Sequence, residues 1–327
     1  MKQTSAALHI ETAEDAAELM RQEVRRGLSA RPKKLSSKYF YDARGSELFE
    51  QICDLPEYYL TRTELSILRE QGPDIANAVG DDAMVVEYGS GSGTKTGLLL
   101  DALQSPVAYV PIEISESALN GSLEELGTRF PDIEMLPMCG DFTRPLSLPR
   151  PTQRKPARRL IFFPGSTIGN FEYSDAIRLL SVMRSQMDAQ GLALIGIDLK
   201  KDAAVIEAAY NDSAGVTAAF TLNMLHHLNR EADPNFDVSQ FEHCARYNPL
   251  PGRIETHIRS RRDQTIAMGG TQIAQFAAGE RMLVEYSCKY SPQDFAGMAG
   301  KAGLKVLNSW TDAEQLFSLQ LLSRADG

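Results

Sequence analysis

Hydrophobic and polar positions follow one rhythm in the middle of this chain and another on either side. Between residues 83 and 198, short apolar runs alternate with longer segments whose apolar residues recur at helical spacing. This alternation is typical of parallel strands joined by crossover helices. The predicted strands are 83–86, 108–114, 133–138, 160–163 and 192–197. The middle block therefore predicts an α/β fold built on a doubly wound, Rossmann-like sheet.

The flanking blocks lack this rhythm. The first 62 residues combine helical segments with two aromatic loops and show no strand pattern. After Asp198, the pattern predicts one long helix over 202–228 and a polar, partly helical stretch over 231–247. The segments predicted to be extended are 253–260, 264–268 and 282–290.

Two apolar runs near the end, 304–307 and 316–322, predict a pair of closing strands that complete the sheet. We therefore expect residues 63–199 and 289–327 to form the core. Residues 1–62 and 200–288 are expected to form a second lobe that binds the substrate.

Composition narrows the classes of function. The chain has 327 residues, of which 43% are hydrophobic, as in an ordinary globular protein. Its net charge of -9 argues against a general nucleic-acid binder, which needs a basic face. The four cysteines are scattered without metal-ligand spacing, which indicates reduced thiols and predicts no metal centre. No apolar stretch is long enough to cross a membrane. From the reduced thiols we expect a cytoplasmic protein, and we also expect a monomer.

Three glycines follow the first predicted strand at alternate positions, Gly89, Gly91 and Gly93, and Glu87 precedes them. Glycine lets a strand-to-helix turn bend sharply and approach a nucleotide. A phosphate-binding P-loop needs glycine where Thr94 stands, and a dinucleotide fingerprint needs its third glycine one residue later. The spacing E-x-G-x-G-x-G instead resembles the first motif of S-adenosylmethionine-dependent methyltransferases.

Polar residues follow the next strands, where a cofactor would lie. Glu113 ends the second strand, and its carboxylate can accept from both hydroxyls of a ribose. Asp141 and Phe142 follow the third strand and suit an adenine, although a turn with a core phenylalanine fits them equally well. Asn170 follows the fourth strand. Its amide can hold an α-amino acid, and it can equally be a helix cap.

Four further residues are candidates outside the predicted strand ends. Tyr41 and Tyr58 lie in the aromatic loops of the first block, where a ring face can hold a cation and a hydroxyl can form a hydrogen bond. Glu285 and Ser287 stand two residues apart on a predicted extended segment, so both face the same side. A carboxylate beside a hydroxyl can hold the two nitrogens of an imidazole, while a solvent-facing strand remains the alternative.

Taken together, longer motifs of this chain resemble the histidine-specific α-N-methyltransferases of ergothioneine biosynthesis, over nearly the whole length. The motifs that carry the resemblance are Tyr41-Asp42 with Gly45-Ser46, Leu55-Pro56-Glu57-Tyr58-Tyr59 with Thr61-Arg62-Thr63-Glu64, Gly165-Ser166-Thr167-Ile168-Gly169-Asn170, Ala214-Gly215-Val216-Thr217-Ala218-Ala219-Phe220, and Glu285-Tyr286-Ser287-Cys288-Lys289.

The resemblance implies a class I methyltransferase that converts L-histidine to its trimethylated betaine, hercynine. By motif, the residues expected to bind S-adenosylmethionine are Gly89, Lys95, Glu113, Asp141 and Phe142. Those expected to bind histidine are Tyr58, Asn170, Tyr210, Glu285 and Ser287, with Asn170 and Tyr210 at its carboxylate and amine and the last two at its ring. Asn170 and Tyr41 are the expected catalytic residues.

Some positions depart from the family, and other functions stay open. Glu113 replaces a frequent aspartate, Tyr88 a common leucine, and Thr256 a methionine that some relatives carry near the substrate. The last change leaves tyrosine, tryptophan or partly methylated histidine as alternative acceptors. A nicotinamide-dependent oxidoreductase or a sensor that only binds the cofactor are the alternatives of another class.

Overall fold

The computed structural model describes residues 13–91, 93–113 and 116–326. Its helices are α1 (Ala13–Ser29), α2 (Ala43–Cys53), α3 (Tyr59–Val79), α4 (Thr94–Ala102), α5 (Glu116–Arg129), α6 (Tyr173–Gln186), α7 (Ala203–Ala208), α8 (Val216–Glu231) and α9 (Pro292–Lys301). Short 3-10 helices span Ser37–Phe40, Thr167–Asn170 and Val238–Gln240.

The main sheet is mostly parallel. Its strands are β1 (Ala83–Tyr88), β2 (Ala108–Glu113), β3 (Glu134–Met135), β4 (Met138–Cys139), β5 (Arg158–Phe163), β6 (Leu192–Asp198), β12 (Leu304–Thr311) and β13 (Phe317–Arg324). The order is β12-β13-β6-β5-β1-β2-β3, with β4 also paired to β2. Neighbours from β6 to β3 run parallel, whereas β13 runs antiparallel to both β6 and β12. The predicted α/β sheet and its closing hairpin are confirmed.

The central strands are mostly apolar because both faces of the sheet are covered. Every residue of β1 and β6 is buried. On one face, Val86, Ile161 and Ala193 share a core with Leu180 of α6 and Met298 of α9. This burial fixes the carboxyl ends of β1, β2, β5 and β6 at one edge, where most predicted cofactor ligands lie.

The remaining strands are β7 (Phe241–Asn248), β8 (Arg253–Ser260), β9 (Gln264–Met268), β10 (Thr271–Phe276) and β11 (Arg281–Cys288). β9 and β10 pair antiparallel, and β8 lies between β7 and β11 in a three-stranded sheet. On β8, buried positions alternate with partly exposed ones, as expected of a strand with one covered face.

The chain forms two compact units, each built from separate stretches. Among the described residues, the first unit comprises 13–55, 207–246 and 255–285. The second comprises 56–91, 93–113, 116–206, 247–254 and 286–326. The second unit holds the main sheet. It also includes residues 56–62, 200–206, 247–254 and 286–288, which the sequence pattern had assigned to the other lobe.

An aromatic cluster lies within the first unit. Phe220 of α8 packs against Phe40, Tyr41 and Phe49, with ring centroids 4.8, 5.7 and 5.9 Å away. A backbone pairing also joins the N-terminal part of this unit to β11, since the Leu35 amide donates to the Leu283 carbonyl at 2.9 Å.

Several sequence predictions are wrong in detail. The third strand is interrupted by Pro137, which cannot donate to a strand ladder, so only β3 and β4 form. The single helix over 202–228 is two helices, because the chain turns at Gly215 with φ 76° before α8 begins. The stretch over 231–247 contains most of β7, and β10 was not predicted.

Candidate cofactor and substrate site

The glycine turn after β1 adopts the conformation that its sequence predicts. Gly89, Gly91 and Gly93 have φ values of 78°, 51° and 74°, a left-handed region in which other residues are strained. The Gly89 amide donates to the Ile112 carbonyl of β2 at 3.0 Å, and Gly93 caps α4. The turn is therefore held directly against the end of the neighbouring strand.

Glu113 lies beside this turn. The Ser90 hydroxyl donates to Glu113 Oε1 at 3.4 Å. A β-carbon placed on Gly89 would lie 4.0 Å from the same oxygen, so glycine keeps the space next to the carboxylate open. The structure thus brings Gly89 and Glu113 together, with a carboxylate facing a turn whose backbone a ligand can approach.

Lys95 is held by an acid that sequence reasoning did not single out as a site residue. Its ammonium lies 2.6 Å from Glu64 Oε2, and Glu64, on α3, is fully buried. Both Glu64 oxygens also accept from the Gly165 amide, at 3.0 and 2.9 Å. Glu64 therefore joins α3, the start of α4 and the loop after β5 around one carboxylate. The sequence signal that could have identified Glu64 is an acid at helical spacing among the apolar residues of α3.

Glu87, the acidic residue before the glycines, is a buried structural acid. It accepts from the hydroxyls of Thr96 and Tyr109 at 2.6 and 2.5 Å. Burial raises the pKa of Glu87 to about 8, against the lowering effect of these two hydrogen bonds and of Lys95. This carboxyl therefore retains its proton at neutral pH and fastens β1 to α4 and β2.

Asp141 and Phe142 take part in the packing of their own turn. Asp141 Oδ1 accepts from the Thr143 amide at 2.9 Å and from its hydroxyl at 2.5 Å. The Phe142 ring stacks on Tyr88 at 5.2 Å and meets Phe163 at 5.7 Å. Because a carboxylate has about four acceptor positions, Asp141 retains capacity for an adenine amine, and its role there stays a prediction.

Asn170 ends the 3-10 helix that follows β5. This loop touches the backbone of β11, since a β-carbon on Gly169 would lie 2.8 Å from the Cys288 carbonyl oxygen. Only glycine permits that approach. The loop carrying Asn170 and the end of β11 carrying Ser287 are therefore neighbours within the second unit.

Asp198, at the end of β6, is the centre of a buried polar cluster that the sequence did not predict. Both its carboxylate oxygens accept from the Tyr59 hydroxyl at 2.9 Å. The ammonium groups of Lys201 and Lys289 lie 2.5 and 2.7 Å from the carboxylate. Its amide donates to the Ser166 hydroxyl at 2.9 Å.

The Asp198 cluster, defined as Tyr59, Ser166, Asp198, Lys201, Ser287 and Lys289, contains one predicted substrate residue, Ser287, and includes neighbours in sequence of two others. Lys289 donates to Ser287 Oγ at 2.8 Å. Tyr58, which is buried, precedes Tyr59 at the start of α3, and Asn170 lies in the loop that begins at Ser166. The cluster thus ties together the elements that carry Tyr58, Asn170 and Ser287.

The remaining predicted residues lie in the first unit. Tyr41 is 46% exposed, with its ring packed against Phe49 at 5.8 Å as well as against Phe220. Glu285 Oε2 accepts from the buried Thr256 hydroxyl at 3.4 Å. This contact puts Thr256 directly on Glu285.

Tyr210 is buried, and His243 holds its backbone. His243 Nε2 lies 2.8 Å from the Tyr210 carbonyl oxygen, and Nδ1 lies 2.9 Å from the Thr221 hydroxyl. Burial lowers the pKa of His243, against a hydrogen bond to that carbonyl that raises it. A neutral ring that donates from Nε2 and accepts at Nδ1 satisfies both contacts.

Two absences hold for the residues that the structure describes. Among them, histidine, cysteine and acidic side chains form no group of three or more that could hold a metal ion. None of the described helices is both long and apolar enough to cross a membrane.

Known proteins are similar to this chain over most of its length. The model of a family described as histidine-specific, S-adenosylmethionine-dependent methyltransferases matches residues 20–324. Histidine N-alpha-methyltransferase of Mycolicibacterium smegmatis is 41% identical over 317 residues, covering 95% of this chain and 97% of that protein. The protein of the same name from Mycobacterium tuberculosis is 40% identical over 326 residues, covering 98% and 99%.

A longer fungal relative matches through part of its length. Ergothioneine biosynthesis protein 1 of Neurospora crassa is 29% identical over 300 residues, which cover 90% of this chain and 33% of that protein. The family match spans nearly all of the described residues and includes both the glycine turn and the Glu285–Lys289 motif. This chain belongs to the family of histidine-specific, S-adenosylmethionine-dependent methyltransferases.

Proposed function

We propose that this protein transfers three methyl groups from S-adenosylmethionine to the α-amino group of L-histidine, giving hercynine in the first step of ergothioneine biosynthesis. The observation that carries the proposal is the match to the two mycobacterial histidine N-alpha-methyltransferases at 41% and 40% identity along almost their entire lengths. The family assignment also decides against the oxidoreductase alternative.

The geometry of the glycine turn fits the methyl donor. S-adenosylmethionine, when bound, supplies an electrophilic methyl group on a sulfonium. Glu113, beside the open backbone of Gly89, would accept from the ribose hydroxyls. Lys95, which Glu64 holds in place, would donate a hydrogen bond to the carboxylate of S-adenosylmethionine. Asp141 and Phe142 would flank the adenine, with the Phe142 ring already fixed by Tyr88.

For the amino-acid substrate, we assign residues by the chemistry that each can supply. Asn170 and Tyr210 would hold the carboxylate and the amine, and Tyr58 would also contact the substrate. Glu285 would accept from the ring N–H, while Ser287 would bond to the other ring nitrogen. We also propose that the first unit, which includes residues 207–246 and 255–285, mainly binds the substrate.

The transfer itself requires positioning rather than a covalent intermediate. Each transfer needs a nitrogen lone pair, so a proton must leave the amine before each methyl group arrives. Asn170 would orient the nitrogen through its amide. Tyr41, which is 46% exposed, would pass protons to water and present a ring face to the growing cation.

The direct test is product analysis. The purified protein is incubated with excess methyl-labelled donor and with histidine, dimethylhistidine, tyrosine and tryptophan in parallel, and products are identified by mass spectrometry. We expect histidine and dimethylhistidine to give the same trimethylated product. Accumulation of monomethylhistidine alone would contradict trimethylation, and methylation of tyrosine or tryptophan without histidine would contradict the acceptor assignment.

One contact favours a second amino acid as an alternative methyl acceptor. Thr256 donates to Glu285 from a position at which some relatives carry methionine. A smaller, polar residue at this position alters the surroundings of the carboxylate that we assign to the ring. Competition between histidine and tryptophan in the same assay measures that preference. Monomeric state and cytoplasmic location stay predictions, which size-exclusion chromatography and cell fractionation test.

A further inference from the structure

The Asp198 cluster contains a cation that the proposed reaction does not use. Lys289 is fully buried, and its ammonium lies 2.7 Å from Asp198 Oδ2 and 2.8 Å from Ser287 Oγ. A lysine is rarely placed so deeply unless its charge is paired. Asp198 supplies the pairing, and Ser287 supplies a second acceptor for the three N–H donors of the ammonium.

That contact determines how the Ser287 hydroxyl can act. An ammonium has N–H donors and no acceptor, so Ser287 Oγ must be the acceptor in this bond. In a buried environment a nearby positive charge acts strongly on the O–H dipole. The hydroxyl hydrogen therefore points away from Lys289, so this bond favours Ser287 as a donor towards a substrate nitrogen.

The cation in contact with Ser287 is the Lys289 ammonium. Asp198 faces both Lys289 and Lys201, and Asp312, outside the cluster, also acts on Lys201. Because the charge that touches the Ser287 oxygen is positive, an acceptor atom is favoured next to this hydroxyl over an additional N–H donor.

We propose that Lys289 is a positioning residue that fixes Ser287 as a hydrogen-bond donor and thereby selects the neutral form of the substrate's imidazole. The proposal rests on the proposed function, in which Ser287 contacts the ring. A neutral imidazole has one N–H and one bare nitrogen, whereas an imidazolium has two N–H groups. A donor at Ser287 matches the bare nitrogen of the neutral ring.

Lys201 provides a matched control within the same cluster. It forms an ion pair with the same carboxylate, but its other contacts are the Tyr59 hydroxyl at 2.8 Å and the Leu199 carbonyl. Removing either lysine takes one cation from Asp198. Only the Lys289 substitution also removes the bond to Ser287 at 2.8 Å.

The experiment is a double-mutant cycle on histidine affinity. Dissociation constants are measured by calorimetry, with S-adenosylhomocysteine present in excess, for the native protein, Lys289→Met, Ser287→Ala, the double variant and Lys201→Met. We expect Lys289→Met to weaken histidine binding about tenfold when Ser287 is present and less than about twofold in the Ser287→Ala background. Lys201→Met should weaken it less than about twofold, and S-adenosylhomocysteine affinity should stay unchanged throughout.

Other outcomes overturn the inference. The lysine only supports the fold if the losses of histidine affinity from Lys289→Met and Ser287→Ala multiply in the double variant. The same conclusion follows if Lys201→Met weakens histidine binding as much as Lys289→Met does. If Ser287→Ala binds histidine as tightly as the native protein, the ring role of Ser287 fails as well. If the native protein does not methylate histidine, the proposed function itself fails, which the product assay reveals separately.

A second variant covers the case in which Lys289→Met does not fold, as judged by circular dichroism. Lys289→Gln keeps a neutral N–H donor, but its amide oxygen can also accept from Ser287, so the hydroxyl is no longer fixed as a donor. The same cycle applies. A loss that depends on Ser287 supports the proposal, and a loss that is independent of Ser287 refutes it.

Discussion

Replacing Glu87 by glutamine should make the protein more stable at alkaline pH. Glu87 is 1% exposed, and burial raises its pKa from 4.5 to about 8. Between those values the unfolded chain releases a proton that the folded chain retains, so the free energy of unfolding falls as pH rises. Below pH 4.5 both states are protonated and this contribution is absent. Glutamine cannot ionise, and its carbonyl can still accept from the hydroxyls of Thr96 and Tyr109.

The size of the effect follows from the pKa difference. Each pH unit between the two pKa values costs about 1.4 kcal/mol, which gives an upper bound of about 5 kcal/mol above pH 8. We expect the Glu87→Gln and native proteins to differ by about 1 kcal/mol or less at pH 5 and by about 3 to 5 kcal/mol at pH 8.5. Titration of all other groups is common to both proteins and cancels in the comparison.

Urea denaturation at the two pH values measures this difference. The matched control is Glu125→Gln, at an exposed position on α5, which should show no pH-dependent gain. If Glu87→Gln were less stable than the native protein at pH 8.5, Glu87 would have to be ionised in the folded state and stabilised by Lys95. That result would refute the conclusion that Glu87 is a neutral acid in the folded protein.

Three further substitutions test the site. Glu113→Ala should weaken S-adenosylhomocysteine binding by about 2 kcal/mol, because a charged acceptor for two hydroxyls is lost; unchanged calorimetric affinity would contradict the ribose role. Glu285→Ala should raise the KM for histidine and reduce the preference for histidine over tryptophan, and an unchanged preference in steady-state kinetics would place Glu285 away from the ring. Glu64→Gln should lower the free energy of unfolding by about 2 to 3 kcal/mol, since Lys95 and the Gly165 amide lose a buried carboxylate. Glu70→Gln, exposed on the same helix, is the control in urea denaturation, and equal losses would refute the argument.

The sheet could be predicted because its determinants are local. Buried parallel strands are continuous apolar runs, and the glycines after β1 mark a turn that other residues cannot adopt without strain. Since parallel strands end at one edge, the sequence also predicted that Glu113 would lie near Gly89. β7 was not predicted because only Phe241 and Ala245 are buried on it, so apolar and polar residues do not alternate along its sequence.

The Asp198 cluster and the Glu64 contacts could not be predicted because they are tertiary. Glu64 meets Gly165 and Asp198 meets Tyr59 across long stretches of chain, and neither acid carries a motif that names its partner. A buried acid looks like any charged residue until its surroundings are known. The resemblance to a family supplied the substrate residues, while the groups that hold them in place came only from the structure.

The division of the chain into interleaved units limits how such a protein can evolve. The chain passes from one unit to the other five times, after residues 55, 206, 246, 254 and 285. Three of these passages fall inside β7, β8 and β11, where a splice would disturb the hydrogen bonds between strands. Recombination at a single point therefore cannot exchange either unit whole. New acceptor preferences in this architecture should arise by single substitutions, at positions such as Thr256, rather than by shuffling of modules.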